Sequence, residues 1–178
     1  MERVLFSERQ HFRQWWLWLL MSLMSALMVW GLVSQVMLNQ PFGNNPAPDW
    51  GLYLSTALVV LLDVLMVTMY LELKVSVSGL EYRFFPFVGK KKVSWHQIEQ
   101  VYVRQYKPIG EYGGWGIRFQ PGRRSRALNV SGTIGLQLVF KDGARLLIGT
   151  QKGNELEAAL ALTNGPYADV DWPGKKSI

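Results

Sequence analysis

Apolar residues are arranged in two different ways along this chain. Trp15 to Leu38 runs without a single Asp, Glu, Lys or Arg, and Trp50 to Leu71 carries one charge, Asp63. At about 1.5 Å of rise per residue, each run is long enough as a helix to cross a hydrocarbon layer of about 30 Å. From Leu73 the apolar positions alternate instead: Leu73, Val75 and Val77 against Lys74, Ser76 and Ser78, followed by a Ser78-Gly79 turn signal. Period two marks strands with one covered face. Strands are predicted within 73–77, 80–87, 92–95, 101–107, 115–120, 127–130, 136–140 and 145–150, beginning as a meander, with Asp142-Gly143 as a hairpin turn. A short helix follows, with Asn154 as its N-cap, Glu155 and Glu157 in its first turn, and Leu156, Ala159, Leu160 and Thr163 on one face. Asn164-Gly165-Pro166 stops it.

The pattern predicts an α+β membrane protein: a two-helix transmembrane hairpin, then a small, strongly bent sheet or partly open barrel closed at one end by a helix. The expected segments are an N-terminal stretch 1–14, spans 15–38 and 50–72, a loop 39–49 between them, a domain 73–163 and a flexible tail 164–178. Trp15, Trp16, Trp18, Trp50, Tyr53 and Tyr70 fall where membrane interfaces would lie. The loop has three prolines and no Lys or Arg, whereas Arg3, Arg9 and Arg13 precede the first span and Lys74, Arg83 and Lys90 to Lys92 follow the second. The positive-inside rule therefore puts both termini in the cytoplasm, in a multi-pass membrane protein. A cleaved signal peptide fits the first run poorly, because the apolar stretch is too long and no Ala-x-Ala site follows.

An intramembrane carboxyl needs a partner, since inserting one costs about 2.5–3.5 kcal/mol. In a simple antiparallel hairpin, Asp63 falls level with Ser25, with Ser22 one turn away, and a hydrogen bond there would glue the hairpin or an oligomer. The alternative is a subunit of an oligomeric channel or transporter in which Asp63 faces water. Two helices alone cannot enclose a pore.

The 178 residues carry a net charge of +6 and no cysteine, which removes disulfides, thiolate metal sites and thiol nucleophiles. Two clusters hold much of the excess charge: Lys90, Lys91 and Lys92, and Arg123, Arg124 and Arg126. Placed between strands, they suit anionic lipid headgroups; no reader motif for nucleic acid accompanies them. His11 and His96 lack metal-ligand spacing, and Ser131 lies outside a Gly-x-Ser-x-Gly elbow, so neither a metal, a cofactor nor an enzymatic activity is expected. Gly113-Gly114-Trp115-Gly116 lacks phosphate-loop spacing and is read as a turn entering a strand.

Taken with the order of elements, four stretches carry a resemblance: Gly79-Leu80, Val93-Ser94-Trp95 leading into Gln97-Ile98-Glu99, the run from Glu111 to Arg118, and Asn129-Val130-Ser131-Gly132 preceding Gly135 to Leu138. Over about 73–162 the chain resembles small bacterial membrane proteins with a pleckstrin-homology-like (PH-like) domain. That resemblance implies a partly open seven-stranded β-barrel capped by a C-terminal helix. It supplies no catalytic residues. The function expected is a membrane-tethered interaction module that binds a protein partner or its own copies, its basic loops near anionic lipids.

Overall fold

A computed structural model describes residues 3–120 and 124–175. It falls into two units: Arg13–Thr68, and the chain before that segment combined with the chain after it.

The first unit is a helical hairpin. Helix α1 (Trp15–Leu32) continues through a π-helical turn at Val33–Met37, and α2 is Asp49–Thr68. Both are long and apolar enough to cross a membrane. Only a narrow seam is covered: Met21 and Gly31 of α1, Leu52 and Val59 of α2. Leu23, Leu27, Trp30, Leu58, Leu61 and Val67 are more than half exposed, a distribution that suits hydrocarbon around the helices. The connecting loop is tied back by Gln35, whose amide donates to Ala47 O (2.8 Å) and Asp49 Oδ1 (2.6 Å). A side chain at Gly31 would meet the Phe42 ring at 3.1 Å, so glycine is what lets the loop lie against α1.

The second unit contains nine strands in two sheets among the described residues. The first sheet has the order β1-β2-β3-β4, all antiparallel: β1 (Val4–His11), β2 (Tyr70–Ser76), β3 (Gly79–Phe85) and β4 (Val88–Ser94). The second comprises β5 (Ile98–Gln105), β6 (Gly116–Gln120), β7 (Ser125–Asn129), β8 (Ile134–Phe140) and β9 (Arg145–Gly149) in the order β5-β8-β9-β7-β6. Phe6, Leu71, Leu73, Val75, Leu80 and Phe84 line the covered face of the first sheet; Val101, Val103, Leu136, Leu138, Leu146 and Ile148 share one face of the second. The opposite face of that sheet holds Ala127 and Leu147 under Tyr106 and Tyr112, the latter from the one-turn helix α3 (Pro108–Tyr112). Helix α4 (Gly153–Ala161) lies against β1, β5 and β8 with Leu156, Ala159 and Leu160 buried.

Five features depart from the sequence expectation. The sheets form an open arrangement of nine strands rather than one seven-stranded barrel, because β1 joins from before the helices and β7 pairs in parallel with β9, which interrupts the meander. Residues 4–11 form a strand that hydrophobic alternation does not signal, because two inward positions, Glu8 and Gln10, are polar yet buried. The second apolar helix ends at Thr68: Tyr70 and Leu71 belong to β2, where Leu71 is fully buried in the sheet core. Asn154 sits inside the first turn of α4 rather than capping it; the helix begins at Gly153, while Thr150 Oγ1 accepts from Lys152 N at 3.0 Å. Finally, residues 164–175 are held. Val101 N donates to Pro166 O (3.0 Å) and Ala168 N to Val101 O (2.9 Å), so the tail runs along the edge of β5. Tyr167 Oη donates to Glu157 (2.7 Å), Trp172 is buried against Gly153, and Lys175 pairs with Glu157 and Asp169.

Candidate functional site

Basic residues of the second sheet converge on one open cavity of about 570 Å³, lined by Tyr82, Phe119, Arg124, Ser125, Arg126 and Arg145 among others. The convergence is a product of strand pairing. Parallel pairing sets Ser125 of β7 opposite Arg145 of β9, and Arg145 N donates to Arg124 O at 2.7 Å. Arg126 lies over the Phe119 ring, 5.3 Å from its centre, a stacking that guanidinium tolerates while keeping its donors free. Among the described residues no carboxylate pairs with Arg124, Arg126 or Arg145. The one acidic residue of the lining, Asp142, accepts from Ala144 N (3.0 Å) within its own turn. Burial pushes the Tyr82 hydroxyl up, partly offset by the Arg126 charge. Planar guanidiniums free of carboxylates are the groups that bind phosphate oxygens in pairs.

An adjoining cavity of about 660 Å³ shares Arg124, Ser125 and Arg145 and adds Arg104, Glu111 and Gln137. Arg104 is committed to structure. It donates to Glu111 (2.8 Å) and to Gln137 Oε1 (3.1 Å). Burial lowers the Arg104 pKa but Glu111 more than restores it; burial likewise raises that of Glu111, and the bonds from Arg104 and from Lys107 N then hold it below the ordinary carboxylate range.

The lysine cluster stands elsewhere and in a different setting from the one expected. Lys90, Lys91 and Lys92 lie within β4, an edge strand, rather than in a loop, because Val88 and Val93 anchor the strand at both ends opposite Phe84 and Leu80. Lys90 and Lys92 straddle Glu81 at 2.7 and 3.8 Å, while Lys91 is opposite Tyr82. Lysines on an edge strand discourage further strand addition. With β5 covered by the tail, β6 presents an open edge, on which Phe119 is 63% exposed. Arg123 lies outside the described residues. Sequence reasoning missed Arg145, since nothing short of knowing that β7 pairs with β9 puts it beside Arg124.

In the hairpin, Ser25 Oγ donates to Asp63 Oδ2 at 2.6 Å, the pair expected from residue counting; Ser22 is exposed. The glycine run is a turn entering a strand: Gly113 terminates α3 in the left-handed region, Gly114 and Gly116 also have positive φ, and β6 starts at Gly116. Among the described residues no cluster of His, Asp and Glu has metal-binding geometry. No protein-family model matches the chain, and a search of curated proteins gives no match.

Proposed function

We propose that the chain is a membrane-anchored interaction module whose PH-like domain docks on anionic headgroups at the cytoplasmic face of a bacterial inner membrane, there holding a protein partner or a second copy of itself. The observation that carries this reading is the arginine set Arg124, Arg126 and Arg145, none of them ion-paired among the described residues, on a domain joined to two membrane-length apolar helices. Near an anionic leaflet each such charge contributes about 1 kcal/mol. The topology is supported by strand pairing. Strand β1 precedes the first helix and β2 follows the second, yet they pair along their length, which requires the two flanks to share one side of any bilayer the hairpin enters. The open edge of β6 suits a partner adding a strand, and tethering in the bilayer plane raises effective concentration enough for a weak contact to count. The Ser25–Asp63 bond supports a structural role for the intramembrane carboxyl over a channel, because it occupies Asp63 within a single hairpin.

The test is native mass spectrometry of the full chain released from nanodiscs containing phosphatidylglycerol and cardiolipin beside phosphatidylethanolamine. The wild type is expected to retain anionic lipids, and R124E/R126E/R145E to lose them while keeping the same secondary structure. Equal retention by both would refute the docking role.

A further inference from the structure

The end of the first sheet that leads to the helices has a chemistry of its own. His11, ending β1, is opposite Tyr70, starting β2, which is opposite Phe85, ending β3. Three strand ends and the β3–β4 turn, Phe85-Pro86-Phe87, therefore share one rim. The Tyr70 and Phe85 rings stack at 5.4 Å with 16° between planes. Arg9 lies 4.5 Å over the Tyr70 ring and Arg83 4.9 Å over that of Phe85. Glu72, the carboxylate in this neighbourhood, is taken by Arg9 and Lys74, and Arg83 has no ion-pair partner among the described residues. Phe87 at the turn is 60% exposed. In the chain this rim adjoins the helical segment: Tyr70, which starts β2, follows Thr68, the last residue of α2, with one residue between them.

We infer that the Phe85-Pro86-Phe87 turn is an interfacial anchor that enters the headgroup–acyl boundary of the bilayer, with Arg83 and Arg9 at the level of the lipid phosphates. Two features select lipid as the occupant. An exposed phenylalanine flanked by stacked aromatic rings and guanidiniums has the composition of a membrane-interface belt, and the net positive rim complements anionic phosphates. This inference rests on the reading that the hairpin spans a membrane, and adds a second attachment, independent of the arginine cavity.

The chain has no cysteine, so one introduced thiol reports alone. Phe87→Cys, Val60→Cys on the exposed face of α2 and Ala158→Cys on the exposed face of α4 are labelled with an environment-sensitive fluorophore in the full chain. Each is reconstituted in phosphatidylglycerol–phosphatidylethanolamine vesicles with acyl chains brominated near the headgroup or near the bilayer centre. The label at position 87 is expected to emit to the blue and lose most of its intensity to shallow bromines, that at 60 to deep bromines, and that at 158 to neither. Quenching at 60 with none at 87 overturns the anchor and leaves the span intact. A blue shift at 87 without quenching also overturns it, in favour of a protein contact. No quenching at either 60 or 87 removes the span and the anchor together.

Discussion

The buried Glu8 side chain fastens the N-terminal strand to the far end of the fold, and its removal is the sharpest test of how the second unit holds together. Glu8 Oε2 accepts from Thr150 Oγ1 at 2.6 Å and Oε1 accepts from Gln151 N at 3.0 Å; on the next inward position Gln10 donates to Gly149 O at 2.7 Å. Glu8 is 6% exposed and Thr150 2%. Hydrogen bonds to a charged group contribute about 1.5–3 kcal/mol each, and stranding a buried donor costs its desolvation as well. Two bonds then give about 3–6 kcal/mol for Glu8→Ala, with water entry bringing the expectation to about 3–4 kcal/mol. That is a large part of a domain stability of about 5–15 kcal/mol. The assay is urea unfolding of the full chain in mild detergent, followed by tryptophan fluorescence, since Trp95 and Trp172 are both buried in this unit. Thr150→Val alone should cost about 1–2 kcal/mol, with a coupling of at least about 1 kcal/mol in the double-mutant cycle. A loss below about 1 kcal/mol for Glu8→Ala, or additivity in the cycle, would refute the fastening role.

Ser25→Ala should weaken the helical hairpin by about 0.6–1.7 kcal/mol in reversible unfolding from detergent, and Asp63→Asn less, since the amide oxygen still accepts; a neutral Ser25→Ala would mean the bond contributes nothing. Glu111 is held below its unfolded value of 4.5 by Arg104 and Lys107 N, against the opposing effect of burial. A depressed folded pKa gives stability that is present above pH 4.5 and lost as pH falls through the lower folded value. Glu111→Gln should therefore flatten the acid side of the urea-midpoint profile below about pH 4.5 while leaving its neutral slope unchanged, and an unaltered acid limb would refute the pairing.

What the sequence made legible was local periodicity. The two apolar runs, the alternation from Leu73 and the amphipathic face of α4 are each carried by neighbouring residues, and the Ser25–Asp63 contact followed from counting along two antiparallel helices. What stayed hidden depended on distant pairing. Strand β1 breaks its own alternation with Glu8 and Gln10, whose side-chain hydrogen bonds run to Thr150, Gln151 and Gly149, far along the chain. Tyr167 and Trp172 gave no periodic signal because isolated contacts hold the tail: one bridge to β5, the Tyr167–Glu157 bond, the Lys175 ion pairs and one buried ring. The arginine cavity was half visible: Arg124 and Arg126 stood out as a cluster, whereas Arg145 became part of it only through the parallel pairing of β7 with β9.

The interruption of the first sheet by the helical hairpin also sets an order of events during synthesis. Strand β1 leaves the ribosome before β2, which emerges only after the whole of Arg13–Thr68, a delay of roughly 3–11 s at about 5–20 residues per second. Throughout that interval β1 must stay unzipped, and Glu8, Arg9 and Gln10 keep it compatible with water. On the proposal that the hairpin spans a membrane, zipping succeeds only in chains whose two helices have both inserted or both failed to insert. In that reading a chain with one helix left behind holds β1 and β2 on opposite faces of the bilayer and cannot complete the sheet, so completion of the domain reports on the insertion that precedes it.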